Sequence, residues 1–123
     1  MEFNQPKGIY QQIADQIRER ILDGEWSSGE RIPSIRDFAV SVGVNPNTVT
    51  KSYQALLDRE IIENQRGLGY FVAADAKQKI LEEIRTAFIE EDLPRVFRTM
   101  RMLGMNLEDL AEHYARDDGG AQS

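Results

Sequence analysis

The chain has 123 residues, 41% of them hydrophobic, which suffices for one packed domain or one small domain with an appendage. It contains no cysteine, which excludes disulfides, thiolate catalysis and zinc-finger chemistry. No apolar run approaches the roughly 20 residues of a membrane-spanning helix and no signal peptide is recognisable, so a cytoplasmic protein is expected.

The charge balance is unusual for a protein that binds nucleic acid. The formal net charge is -6 and the pI is about 4.8, whereas nucleic-acid-binding domains are often basic. Residues 1–72 carry 8 Lys and Arg against 10 Asp and Glu, which leaves them at -2. Any contact with DNA therefore requires a local basic surface on a mildly acidic domain, and its affinity should depend strongly on salt.

The first helix is predicted over residues 9–22, with Gly24 placed to end it in a left-handed conformation. Its apolar residues recur at steps of three and four and so share one face. They are Tyr10, Ile13, Ile17 and Ile21. A turn-rich link follows, in which Trp26 is expected to cover the edge of the core. Residues 31–32 are predicted to form a very short strand, because Pro33 prevents a longer one.

The next two helices have clear start and stop signals. Ser34 is the predicted N-cap of the second helix, and Gly43 ends it. Asn45 can cap the third helix, predicted over residues 46–59, and Pro46 suits its first position, where a missing N–H costs nothing. The outward side chains of the third helix are of the types that contact base edges and phosphates in the major groove. They are Asn47, Thr48, Thr50, Lys51 and Gln54.

A glycine-tipped hairpin comes next. Its first strand is predicted to start at Ile61 and its second to span residues 69–72, with Arg66 and Gly67 at the tip. Tyr53 and Phe71 are expected in the core. Helix, turn, helix and hairpin in this order form a winged helix-turn-helix, which predicts a mainly α (α+β) fold with this DNA-binding domain at residues 1–72.

A second, helical unit is expected over residues 73–116, with a disordered tail at 117–123. Asp92 is predicted to cap its middle helix, and one long helix kinked at Pro94 is the alternative. The unit is too small for a self-contained core, so a twofold partner, rather than the chain's own helices alone, is expected to cover its apolar stripe. The predicted dimerisation residues are Ile84, Phe88, Leu93, Phe97, Met100 and Leu103.

Four segments stand in a specific order: IYQQI at 9–13, GERIPSIR at 29–36, VNPNTV at 44–49 and RGLGYFV at 66–72. Together they resemble the GntR family of bacterial transcription regulators, and the short YtrA-like subgroup in particular. The resemblance implies a homodimer that binds a near-palindromic double-stranded DNA operator, with the second helical unit supplying dimerisation. It also implies a repressor, because members of this subgroup often repress nearby transporter operons.

The family's DNA contacts carry over only where the motif matches. Many family members have arginine at the positions of Pro46 and Thr50, so a bidentate reader of guanine is missing here and the base preference is open. The predicted DNA-binding residues are Arg36, Asn45, Asn47, Thr48, Thr50, Lys51, Arg66 and Gly67.

The residues alone are also compatible with purely structural roles for the predicted DNA-contacting side chains. Asn45 could serve only as a cap, the polar face of the third helix could be merely solvated, and Arg36 could pair with Asp37. A winged helix used for protein–protein contact would fit the acidic charge, and an effector pocket between two subunits is compatible with the small second unit. No enzyme activity, cofactor or metal site is expected, since His113 is the only histidine and no spaced carboxylate pair is evident.

Overall fold

The computed structural model describes residues 8–119, which contain six α-helices, one π-helical turn and three short strands. The α-helices are α1 (Ile9–Leu22), α2 (Ile35–Val42), α3 (Pro46–Asp58), α4 (Ala76–Ala87), α5 (Leu93–Leu103) and α6 (Leu107–Arg116). The π-helical turn is Phe88–Asp92, and the strands are β1 (Arg31–Ile32), β2 (Ile62–Gln65) and β3 (Gly69–Val72). The chain divides into two units, the first ending at Glu83 and the second beginning at Ile84. The predicted fold class, mainly helical with a small sheet, is confirmed.

The three strands form one antiparallel sheet in the order β1-β3-β2. Ile32 lies opposite Tyr70, and Ile62 lies opposite Val72. Directly paired residues share a face, so these four side chains all belong to the face that packs on the core. Phe71 points to the other face and is only half-buried. The prediction that Phe71 lies in the core is therefore wrong, and Tyr70 packs there instead.

Four aromatic side chains connect the elements of the first unit. The ring centroids of Trp26 and Phe38 are 5.9 Å apart, those of Phe38 and Tyr53 6.2 Å, and those of Tyr53 and Tyr70 5.0 Å. The Tyr53 hydroxyl donates a hydrogen bond of 2.6 Å to the carbonyl oxygen of Pro33. Burial raises the pKa of Tyr53, which keeps this hydroxyl protonated as a donor. The aromatic chain thus ties α3 to α2, to β3 and to the segment before α2.

The first unit extends past residue 72, where the sequence had placed the boundary. Ala76 and Ile80 on α4 are fully buried in the core of the first unit. Glu83, also on α4, accepts a hydrogen bond of 2.9 Å from Nε of Arg18 and lies 3.6 Å from a guanidinium nitrogen of Arg59. The start of α4 is therefore part of the winged-helix unit, because its apolar face completes a core that the hairpin leaves open.

The second unit has continuous helical backbone from Ile84 to the end of α5. Asp92 has helical dihedral angles and its side chain makes no capping hydrogen bond, so its prediction as an N-cap is wrong and the single interrupted helix is adopted. Pro94 explains the interruption, because it lacks an N–H and its ring crowds a carbonyl one turn earlier. The wider π-helical turn relieves this crowding, with the Leu93 N–H donating to the Phe88 carbonyl oxygen.

The last helix has a reciprocal cap. The Asn106 side chain accepts from the Asp109 N–H at 2.9 Å, and the Asp109 carboxylate accepts from the Asn106 N–H at 2.9 Å. Before it, Gly104 ends α5 in the left-handed conformation at φ 71°. Residues 117–119 form no regular element, and the remainder of the predicted tail, 120–123, lies outside the described residues.

Candidate nucleic-acid interface

The turn between α2 and α3 holds the start of α3 in place. Gly43 ends α2 at φ 72°, a left-handed conformation that favours glycine. Asn45 caps α3, since its Oδ1 accepts from the N–H of Asn47 at 2.7 Å. Pro46 occupies the first helical turn, as predicted. The helix-turn-helix therefore has the capping chemistry that its sequence indicates.

The inner face of α3 packs in the core of the first unit. Val49, Tyr53 and Leu56 are completely buried. The buried hydroxyl of Ser52 donates to the carbonyl oxygen of Tyr10 on α1 at 2.8 Å. A helix fixed on one face by apolar packing and by a buried hydrogen bond presents its opposite face in one orientation, as a rigid reading element requires.

The outer face of α3 carries the predicted contact residues. Among its exposed side chains are Asn47, Thr50, Lys51 and Gln54, the last donating to Asp58 Oδ1 at 2.8 Å. Thr48, beside them, is half-buried. The Thr50 hydroxyl donates to the Pro46 carbonyl oxygen at 3.0 Å, so only its lone pairs remain for an outside partner. Within residues 8–119, no acceptor engages the side-chain donors of Asn47 or Lys51.

The Lys and Arg side chains of the first unit fall into two groups. Over the described residues 8–83, four lie within 4.0 Å of a carboxylate: Arg18, Arg20, Arg59 and Lys79. Five have no carboxylate that close in the same span: Arg31, Arg36, Lys51, Arg66 and Lys77. Arg36 thus makes no ion pair with Asp37. Arg36 and Lys51 lie on the helix-turn-helix, Arg31 lies on β1, and Arg66 lies in the turn between β2 and β3. Cations without a carboxylate partner are the kind of group from which a mildly acidic domain can form a local basic surface.

The hairpin forms the wing. Arg66 is exposed at its tip beside Gly67, whose φ is 78°. Gly69, at the start of β3, has φ 117° and lies against the guanidinium of Arg31. Arg31 is an exposed cation that is not among the predicted contact residues. Only the pairing of β1 with β3 brings it to the wing, and a strand of two residues has no periodic pattern that could reveal this pairing.

The six predicted dimerisation residues differ in exposure. Ile84, Phe88 and Leu103 are exposed and Leu93 and Phe97 are half-buried, whereas Met100 is only 8% exposed within the single chain. Met100 lines a shallow groove between α5 and α6, together with Val96, Leu103, Met105 and Leu110. Further exposed apolar side chains on this unit, absent from the predicted set, are Ile89, Val96, Met102, Leu107 and Tyr114.

Two further features of the described residues are the character of their helices and the placement of their metal-ligating side chains. No helix within residues 8–119 combines the length and the apolar character that crossing a bilayer demands. His113 is exposed near the end of α6, and no group of three His, Asp or Glu side chains in this part of the chain could hold a metal ion.

Comparison with known proteins identifies the family. Residues 9–72, about half of the chain, match the family described as bacterial regulatory proteins, gntR family. The HTH-type transcriptional repressor YtrA of Bacillus subtilis (strain 168) is 38% identical over 104 residues, which cover 85% of this chain and 79% of YtrA.

Solved structures agree. A GntR-family regulator from Bacteroides thetaiotaomicron superposes with a TM-score of 0.80 at 40% identity, covering 88% of this chain and 94% of that one. The AraR DNA-binding domain in complex with operator ORR3 gives a TM-score of 0.50 at 25% identity, covering 59% of this chain and 95% of that one. The family consists of transcriptional regulators, which are not enzymes. The chain therefore belongs to the GntR family, in its YtrA-like subgroup, and is a DNA-binding transcription regulator.

Proposed function

We propose that this regulator binds a near-palindromic operator as a homodimer and represses transcription from the adjoining promoter. The observation that carries the proposal is the start of α3. It is capped by Asn45, anchored from below by Tyr53, and presents Asn47, Thr48 and Lys51 to an outside partner. These are the groups with which a recognition helix reads the major groove.

The base preference follows from the residues that α3 lacks. Pro46 and Thr50 stand where arginine could read guanine, and the Thr50 hydroxyl hydrogen is already engaged by the backbone. Asn47 keeps both its amide donors and its carbonyl oxygen available, and a bidentate Asn pairs best with adenine. We therefore place adenine opposite Asn47, with Thr48 beside it and Lys51 on a phosphate.

The wing and α2 supply the remaining contacts. Arg66 and Gly67 form an exposed tip in which glycine allows close approach of the backbone to the minor groove. Arg36 is exposed near the start of α2 and has no carboxylate partner among residues 8–119, so its guanidinium is available to a phosphate. Asn45 uses its oxygen as the helix cap, which leaves its amide donors for a second role.

The second unit supports a dimer. Met100 is the one buried side chain among the described residues 84–119, although the unit is rich in apolar residues. Phe88 is 47% exposed, Leu103 67% and Tyr114 84%. A unit with this many exposed apolar side chains is suited to association, and a twofold copy offers a self-complementary cover. Two recognition helices then read half-sites roughly 34 Å apart.

Repression is supported by the relative that is itself named a repressor, YtrA of Bacillus subtilis. A dimer that occupies about two turns of duplex near a promoter excludes RNA polymerase without any effector or cofactor. This role places the protein in the cytoplasm, where bacterial DNA is found.

The decisive experiment compares Thr48→Ala with Lys51→Ala. A duplex is first selected from a random-sequence library by the unaltered protein, and fluorescence anisotropy titrations then follow at several salt concentrations. We expect Thr48→Ala to lower the preference for the selected duplex over random duplex. Lys51→Ala should weaken both and flatten the salt dependence by about 0.9 per contacting protomer.

Each contrary outcome has a distinct meaning. Unchanged binding by both variants would remove α3 as the reading helix. Failure to select any duplex, with a stable dimer in solution, would favour the winged helix as a protein-contact module. Saturable heat of binding with a metabolite, measured by calorimetry, would add an effector site between subunits to the proposal.

A further inference from the structure

Arg31 lies on the outer face of the wing. It is the first residue of β1 and pairs directly with Phe71 of β3, so the two side chains share the face turned away from the core. Gly69, two residues before Phe71 on the same strand, shares that face as well. The Arg31 side chain leans along β3 toward Gly69 and hence toward the wing tip at Arg66.

The contact between Arg31 and Gly69 is close. A Cβ built on Gly69 would lie 3.0 Å from Nε of Arg31 and 3.4 Å from one of its terminal nitrogens. Gly69 also has φ 117°, a conformation that side chains rarely adopt. The missing side chain at position 69 therefore creates the space that the guanidinium occupies, and the planar group rests on bare backbone.

No acidic group neutralises this guanidinium. Arg31 is exposed, and no carboxylate in the described residues lies within 4.0 Å of it. Glu63 of β2 pairs with Phe71 from the side of β3 opposite to Arg31. The Cα atoms of Glu63 and Arg31 are therefore two strand spacings apart, about 10 Å. A guanidinium offers five donors in a rigid fork that matches the oxygens of phosphate. Here those donors face solvent beside the wing.

We propose that Arg31 is a further DNA-contacting residue, which binds a backbone phosphate at the edge of the groove that the wing enters. The inference rests on the proposed function, because it needs the wing to approach duplex DNA. Arg66 lies at the tip of the hairpin, in the turn between β2 and β3. Arg31 lies on β1 opposite Phe71, farther from the tip. A cation set back from the tip meets the backbone that borders the groove, and its contact carries no sequence information.

The test uses the full chain with three variants. Arg31→Ala removes the charge, Arg31→Lys keeps it, and Lys77→Ala removes another exposed cation without a carboxylate within 4.0 Å in the described residues, which lies on α4. Affinity is measured by anisotropy for the selected duplex and for random duplex over a range of salt concentrations, and circular dichroism checks that each variant is folded.

We expect Arg31→Ala to lower the affinity for both duplexes by the same factor, about tenfold at low salt, as for a charged hydrogen bond. The salt slope should fall by about 0.9 for each contacting protomer. Arg31→Lys should retain the slope, and Lys77→Ala should match the unaltered protein.

Several results would overturn the inference alone. They are unaltered binding by Arg31→Ala, a loss confined to the selected duplex, and a loss of slope in Arg31→Lys as large as in Arg31→Ala. An effect of Lys77→Ala equal to that of Arg31→Ala would also overturn it, because the loss would then reflect overall charge. If the unaltered protein binds neither duplex, the proposed function fails and this inference fails with it.

Discussion

The two units of this chain differ in how completely each buries its own apolar side chains. In the first, Ile17, Phe38, Tyr53 and Leu56 have no exposed surface, and hydrogen bonds from buried hydroxyls connect the elements around them. In the second, Met100 alone is buried among residues 84–119. The difference teaches that the first unit has a core of its own, whereas the second unit leaves most of its apolar side chains exposed in the single chain, as the proposed dimer would require.

The largest expected effect is the loss of stability of the first unit when a side chain is removed from its core. Tyr53→Ala removes the side chain that contacts Phe38, Tyr70 and the Pro33 carbonyl, and should lower the free energy of unfolding by about 3–5 kcal/mol. Tyr53→Phe is the matched control, with a loss of about 1 kcal/mol for the hydrogen bond. Trp26 is the only tryptophan, so its fluorescence in a denaturant titration reports on this unit. A midpoint unchanged by Tyr53→Ala would contradict the anchoring role of the aromatic chain.

The next effect concerns the second unit and should leave the first intact. Phe88→Glu places a charge on the exposed apolar surface and should weaken the dimer at least about tenfold, since a buried unpaired charge is costly. Sedimentation equilibrium measures the dissociation constant, while Trp26 fluorescence checks that the first unit keeps its midpoint. Val40→Glu is the control, because Val40 is an exposed apolar residue of the first unit. Equal weakening by both variants would mean that the dimer surface is not confined to the second unit.

The smallest effect tests a single turn. Gly43→Ala should cost about 1–2 kcal/mol of unfolding free energy, because φ 72° is unfavourable for alanine. Beyond the adjoining residues of the chain, no atom of the described residues lies within 4 Å of the added Cβ, so the cost is that of the backbone alone. Gly8→Ala, at φ -64°, incurs no such backbone strain, and its cost should be limited to the poorer N-capping by alanine, about 0.5 kcal/mol. Thermal unfolding of both variants gives the comparison, and equal midpoints would show that the turn tolerates a side chain.

The helix starts and turns of the first unit were predictable because they depend on neighbouring residues. Ser34, Gly43, Asn45 and Pro46 each act within four positions of their own place in the chain. Such short-range chemistry is visible in a sequence without knowledge of the fold. It located the helix-turn-helix and the outward face of α3.

Long-range pairings were not predictable in the same way. The contact of β1 with β3 joins positions 31 and 71, and no pattern among the residues next to either position indicates this pairing. Arg31 was therefore missed, and Phe71 was placed on the wrong face. The start of α4 posed a similar problem, because the apolar face with Ala76 and Ile80 does not reveal which unit it packs on. At Asp92 two local signals competed, and the constraint imposed by Pro94 prevailed over capping.

The π-helical turn has a consequence for the periodicity of the second unit. A regular α-helix rotates by about 100° per residue, so the wide turn at Phe88–Asp92 delays the rotation by roughly the angle of one residue. With that delay, Ile84 and Phe88 remain in phase with Val96 and Leu103 along a single stripe. Because the wide turn holds one residue more than an α-helical turn, excision of one residue from it would restore a regular α-helix in which the two halves of the stripe keep the same phase.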